Sequence, residues 1–205
     1  MPDFVTDADG RVPIAVFISG RGSNFAALAE AADDAAFPAR IVLCLSDKPD
    51  AKGLDIARQR GIAVATPTRA DYESRDAFDA AMEAEVVAAG AQLICLAGFM
   101  RILGRAFVER WEGRMLNIHP SLLPAYRGLD THARALADGA REHGVTVHLV
   151  TPGLDEGPIL AQARVPVLAD DTAETLAARV LAEEHTLYPD ALAAYVRGAE
   201  PRPQG

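Results

Sequence analysis

Val12-Pro13-Ile14-Ala15-Val16-Phe17-Ile18-Ser19-Gly20-Arg21-Gly22-Ser23-Asn24 reads as a strand that runs into a glycine-punctuated turn, with a helical pattern following at once. The apolar run is almost unbroken by polar residues, the mark of a strand covered on both faces rather than one. A strand, a tight turn and a helix make the first half of a βα unit, and the alternation continues along the chain. Further strands are expected at Arg40 to Leu45, Ile62 to Ala65, Gln92 to Ala97, Met115 to Ile118, Val145 to Val150 and Ile159 to Val165. Helices are expected at Asn24 to Asp33, Lys52 to Arg60, Arg75 to Ala89, Arg105 to Trp111, Thr131 to Asp138 and Thr172 to Ala194. This order predicts an α/β fold, a mostly parallel twisted sheet flanked by helices on both faces. Ligands of such sheets sit outside the carboxyl ends of the strands.

The chain of 205 residues suits one domain, with 50% hydrophobic residues for its core. Residues 12–197 are read as that domain, and 1–11 and 198–205 as flexible ends that lack apolar periodicity. A formal net charge of −9 argues against a nucleic-acid binder. Small molecules are the expected partners. Cys44 and Cys95 both lie inside apolar runs and read as core residues. With no signal-type segment and no transmembrane-length stretch, the expected compartment is the cytoplasm.

In the first turn, Gly20 and Gly22 let backbone N–H groups gather at a helix N-terminus, where a phosphate is attracted. The same turn also serves as a plain βα connection with Ser23 or Asn24 as N-cap. A dinucleotide fingerprint is the third reading, with Asp47 at the end of the second strand as the ribose acid. Against that reading, Phe25 stands where the third glycine belongs, so an NAD-dependent oxidoreductase is the weaker alternative.

Asn117-Ile118-His119-Pro120-Ser121-Leu122-Leu123-Pro124 carries the chemistry. In a strand, residues two apart share a face, so the Asn117 amide and the His119 imidazole reach one substrate. Pro120 biases His119 to extended backbone, and Pro124 stiffens the loop beyond. A hydrogen-bond donor beside a group that titrates near neutrality suits acyl transfer. Leu154-Asp155-Glu156-Gly157-Pro158, the turn after the strand Val145 to Val150, supplies a carboxylate that would favour the imidazolium and raise its pKa. His132 is expected near a helix start, His143 in a loop, and His148 mid-strand as a core or site-wall group. No metal-ligand spacing occurs, and no catalytic metal is predicted.

Four motifs in order resemble the phosphoribosylglycinamide formyltransferases: Ser19 to Asn24, Leu96 to Leu103, Asn117 to Pro124, and Gly144 to His148 followed by Leu154 to Pro158. The resemblance runs from about Val12 to Pro189. It implies a Rossmann-like formyltransferase fold and transfer of a formyl group from 10-formyltetrahydrofolate, the cosubstrate, to the amine of 5'-phosphoribosylglycinamide in purine biosynthesis. By that resemblance Asn117, His119 and Asp155 are catalytic, and Gly22, Ser23, Asn24 and Glu184 bind the ribotide. Arg75, Met100, Arg101, Ile102 and Leu103 match folate-contacting positions, as do Asn117 and the loop Thr151, Pro152, Gly153, Leu154 and Asp155. Leu181 departs from the pattern where relatives carry a polar or basic phosphate contact, and Asp130 stands where a histidine is expected. The unit is read as a monomer or homodimer without nucleic-acid or membrane partners. A related formyltetrahydrofolate hydrolase is the nearer alternative, but it adds an N-terminal regulatory domain, whereas here the catalytic pattern starts almost immediately.

Overall fold

The computed structural model describes residues 2–204. Seven strands, β1 (Val12–Ile18), β2 (Ala39–Ser46), β3 (Ala63–Ala65), β4 (Leu93–Leu96), β5 (Met115–His119), β6 (Glu142–Leu149) and β7 (Ile159–Pro166), form one sheet in the order β3-β2-β1-β4-β5-β6-β7. The first five are parallel, while β6 pairs antiparallel with both β5 and β7. Among the described residues six α-helices accompany them: α1 (Ser23–Asp33), α2 (Gly53–Gln59), α3 (Arg75–Ala88), α4 (Arg105–Arg110), α5 (Thr131–Ala137) and α6 (Ala173–Val196).

Strand side chains alternate between two apolar layers. Ile14, Val16, Cys95 and Leu116 pack with Phe25 and Leu28 of α1, Leu54 of α2 and Val180, Tyr188 and Leu192 of α6. Their neighbours Ala15, Phe17, Ile94 and Met115 pack on the opposite face with Phe78 and Met82 of α3 and Phe107 of α4. Burial on both faces is why these strands read as continuous apolar runs. Cys44 and Cys95 lie in the first layer, and burial pushes both thiols up to about 12.

One expectation is corrected. His143 lies in β6 rather than a loop, because pairing of Glu142 with Pro166 and His143 with Val165 extends the strand three residues upstream of Val145. The N-terminal segment is tied down: the Arg11 guanidinium donates to the Ala32 and Ala39 carbonyls, Asp7 pairs with Arg40 at 2.9 Å, and Phe4 meets Tyr195 edge-on. The C-terminal tail is tied down too, since Arg202 and Ile159 exchange backbone hydrogen bonds of 2.6 and 2.7 Å at the outer edge of β7.

Candidate active site

Parity puts Asn117 and His119 on the face of Met115, with Asn117 level with Leu96 at the end of β4 and His119 beyond it. Tyr188 of α6 supports this end of the sheet from the other layer, its buried hydroxyl 3.0 Å from the Leu96 carbonyl and 3.3 Å from that of Leu116. Across the antiparallel pair, His148 stands opposite Asn117, as the site-wall reading of that residue implies. The His148 Nδ1–H donates to the Leu149 carbonyl at 2.8 Å, and in that neutral tautomer Nε2 accepts from the Asn117 amide at 3.2 Å. This orients the amide and leaves its second N–H for a ligand.

His119 is 6% exposed and both ring nitrogens are engaged. Nε2 lies 2.9 Å from the Tyr126 carbonyl, which can only accept, so that nitrogen carries a proton. Nδ1 faces Asp155 Oδ2 at 3.4 Å. Asp155 comes from an unexpected direction. Because β6 runs antiparallel, the loop after it leaves the sheet where the Val150 N–H bonds the Met115 carbonyl, and turns back over the face that carries Asn117. Asp155 follows the carboxyl end of β6, but that end lies beside the start of β5, because strand direction is not written in hydropathy. Asp155 adopts φ 52°, and its Oδ2 accepts the Gly128 N–H at 2.9 Å while Oδ1 lies 3.6 Å from His148.

The electrostatics correct a second expectation. Burial drives the His119 pKa down and outweighs the Tyr126 carbonyl and Asp155, which pull it up; His148 and Arg134 add to the lowering. Burial thus favours the neutral imidazole over the imidazolium. Asp155 moves down as well: burial raises it, but His148, the Gly128 N–H and His119 together prevail. The carboxylate is charged and ready to stabilise a proton arriving on His119.

At the carboxyl end of β1, Gly22 rather than Ser23 or Asn24 precedes α1 as N-cap, at φ 76° and without a side-chain cap. A Cβ at Gly22 would lie 2.6 Å from the Gly53 Cα, so only glycine fits this turn. Asn24 is used differently from a cap: its amide donates to Glu184 Oε2 at 2.6 Å across α1 and α6, and its own Oδ1 is buried without a protein partner. Burial, partly offset by Asn24, raises the Glu184 pKa. His185, absent from the sequence-derived site, lines an open cavity of about 480 Å³ with Ser23, and its Nε2 is buried and unpartnered. Its position one residue after Glu184 was the only available signal.

The folate-matched positions divide. Met100 and Ile102 are exposed, at 65% and 70%, as are Leu129 and Leu154 of the loops flanking Asp155. Leu103 instead belongs to the core beside Phe107. Arg101 stacks its guanidinium 4.7 Å above the Phe78 ring. Arg75, half-exposed at the start of α3, donates to the Ile102 carbonyl, and Asp79 one turn later accepts the Gly104 N–H at 2.6 Å. These two residues shape the loop between β4 and α4. Thr151, Pro152 and Gly153 line the turn that leads to Asp155, Leu181 is half-buried on α6 one turn before His185, and Asp130 is exposed as the left-handed N-cap of α5. Asp47 accepts the Ser19 hydroxyl at 2.6 Å, and Phe25 is fully buried where a dinucleotide fingerprint would place its third glycine. No helix among the described residues is long and apolar enough to cross a membrane.

Comparison with known proteins agrees with this geometry. The family model described as formyl transferase matches residues 12–192. Phosphoribosylglycinamide formyltransferase of Escherichia coli (strain K12) is 47% identical over 86% of this chain and 83% of its own length. The trifunctional purine biosynthetic protein adenosine-3 of Drosophila melanogaster is 47% identical over 92% of this chain, which spans 14% of that larger protein. The crystal structure of phosphoribosylglycinamide formyltransferase from Brucella melitensis superposes with a TM-score of 0.88 at 54% identity, covering 92% of this chain and 97% of that one. An amide and an imidazole on one strand face, a carboxylate folded back onto them and a family match that spans the whole sheet lead to one assignment: the chain belongs to the formyl transferase family.

Proposed function

We propose that this chain transfers a formyl group from 10-formyltetrahydrofolate to the amine of 5'-phosphoribosylglycinamide, a step of purine biosynthesis. The observation that carries the reading is His119, held between the Tyr126 carbonyl and Asp155, with Asn117 on its own strand face. The free N–H of Asn117 donates to the formyl oxygen as the substrate amine adds to the carbon and negative charge grows there. His119, neutral at rest, takes the proton that the amine sheds and returns it to the departing folate nitrogen. Asp155 stabilises the imidazolium formed on the way. For Nε2 to take the amine's proton, the imidazole's own proton sits on Nδ1 against Asp155 and Nε2 gives up the Tyr126 carbonyl, so the loop carrying Tyr126 adjusts as the substrates enter.

Two regions of the surface suit the two substrates. Backbone N–H groups at the start of α1 together with Ser23 and His185 receive the ribotide phosphate, and the unpartnered His185 ring nitrogen offers a polar contact where Leu181 has none. Glu184 and Asn24 meet the sugar. Exposed Met100, Ile102 and Leu154 offer apolar surface to a flat pterin. Leu103, Arg101 and Arg75 shape that wall rather than face the ligand.

The test is tetrahydrofolate formation from 10-formyltetrahydrofolate, followed by absorbance, with the ribotide present or omitted. Product that requires the ribotide is expected. Equal product without it would assign hydrolysis instead.

A further inference from the structure

Beyond α6 the chain returns to the open edge of the sheet, where Arg202 bridges Ile159, and two residues later the Gln204 side chain reaches the turn that bears Asp155. Its Nε2 donates to the Asp155 carbonyl at 3.0 Å and to the Gly157 carbonyl at 2.8 Å. Its Oε1 accepts from Arg127 Nη2 at 3.0 Å, and Arg127 in turn holds Glu156 at 2.8 Å. One amide thus uses both donor hydrogens and its acceptor on two separate loops. Those loops hold the partners of His119: Tyr126, whose carbonyl meets Nε2, directly precedes Arg127, and Asp155 itself supplies one of the two carbonyls that Gln204 binds. Asp155 also needs support, because a non-glycine residue at φ 52° occupies a sparsely populated region and persists only where its surroundings hold it. Gly157 fixes the other side of the turn, packed so closely on the Leu149 carbonyl that no Cβ fits.

We propose that Gln204 is a positioning residue for the transfer reaction: it clasps the Asp155 turn to the Tyr126–Gly128 loop and so keeps the carboxylate against His119. The inference rests on the proposed function for its rate effect. Its geometric core, that Gln204 governs the placement of Asp155, stands apart from the identity of the substrates. His119 faces Asp155, His148, Arg134, His132 and His143. Gln204 itself is uncharged, so replacing it by Ala alters the His119 titration only through movement of those groups.

The experiment compares the full chain with Gln204→Ala and Gln204→Glu. The Glu variant keeps the length and an acceptor for Arg127 but has no N–H donors for the two carbonyls. Both variants are expected to lose about tenfold or more in kcat with KM for either substrate little changed, since misplacement of about 1 Å can cost a hundredfold. In Gln204→Ala, the His119 resonance followed by NMR is expected to titrate at lower pH, as the Asp155 charge moves away. A normal kcat in Gln204→Ala, a kcat retained in Gln204→Glu, or a His119 titration unmoved in Gln204→Ala would each overturn the proposal. If the unaltered chain shows no ribotide-dependent transfer, the proposed function falls, while the His119 titration still decides whether Gln204 places Asp155.

Discussion

His119 illustrates how far a residue's role follows from type and neighbours. An imidazole at a strand end with Asn117 on its own face was legible, because the two-residue period of a strand is local. Its charge was not, since that depends on a burial that outweighs Asp155. Substituting His119→Ala is expected to lower turnover by about two to four orders of magnitude, the range for loss of a positioned acid or base, while ribotide affinity is retained. Isothermal titration with the ribotide alongside a turnover assay checks both halves, and near-normal turnover would remove His119 from the chemistry. Gln204 lay beyond any such reading. Nothing local distinguishes a glutamine in a polar tail from one that holds a catalytic turn.

Among the elements, strands were placed within a residue or two wherever both faces are buried, as in β1, β2 and β5. β6 was begun too late because Glu142 and His143 carry no apolar signal, and only their pairing with β7 recruits them. The loop between β4 and α4 shows a different limit. Its residues Met100 to Leu103 look like one apolar wall, yet the chain turns between them, so Ile102 is exposed and Leu103 is buried. Asp79 holds this turn through the Gly104 N–H, from within α3. Asp79→Ala leaves that donor unpaired and is expected to cost about 1–3 kcal/mol of stability. With the loop loosened, KM for the folate should rise more than kcat falls. Urea unfolding and steady-state kinetics of the variant measure the two effects, and a KM unchanged beside a clear stability loss would deny the loop a part in folate binding.

Across the whole molecule, three histidines are held away from their protons. Burial lowers His119, His132 and His143, the last to about 4, and His143 has neither ring nitrogen hydrogen-bonded by a protein group. The unfolded chain binds these protons near the ordinary value of 6.5, so between that pH and about 4 it holds more protons than the fold does. Stability therefore rises with pH across this window and falls on acidification, by about 3 kcal/mol for His143 alone at one pKa unit per 1.36 kcal/mol. Urea midpoints at pH 7 and pH 4.5 are expected to differ in that sense, and His143→Phe to shrink the difference; equal midpoints would show that His143 is not kept neutral by the fold. Sequence by itself determined the βα alternation, the two-faced burial of the strands and the glycine-punctuated first turn, because each is set by contacts within a few residues. It also placed Asn117 and His119 side by side. Only the tertiary structure decided that β6 reverses, that Asp155 returns to His119 along that reversed path, and that both chain ends pack down, with Gln204 bridging the loops. These outcomes depend on strand direction, burial and hydrogen bonds between segments far apart in the chain, and no local pattern encodes them.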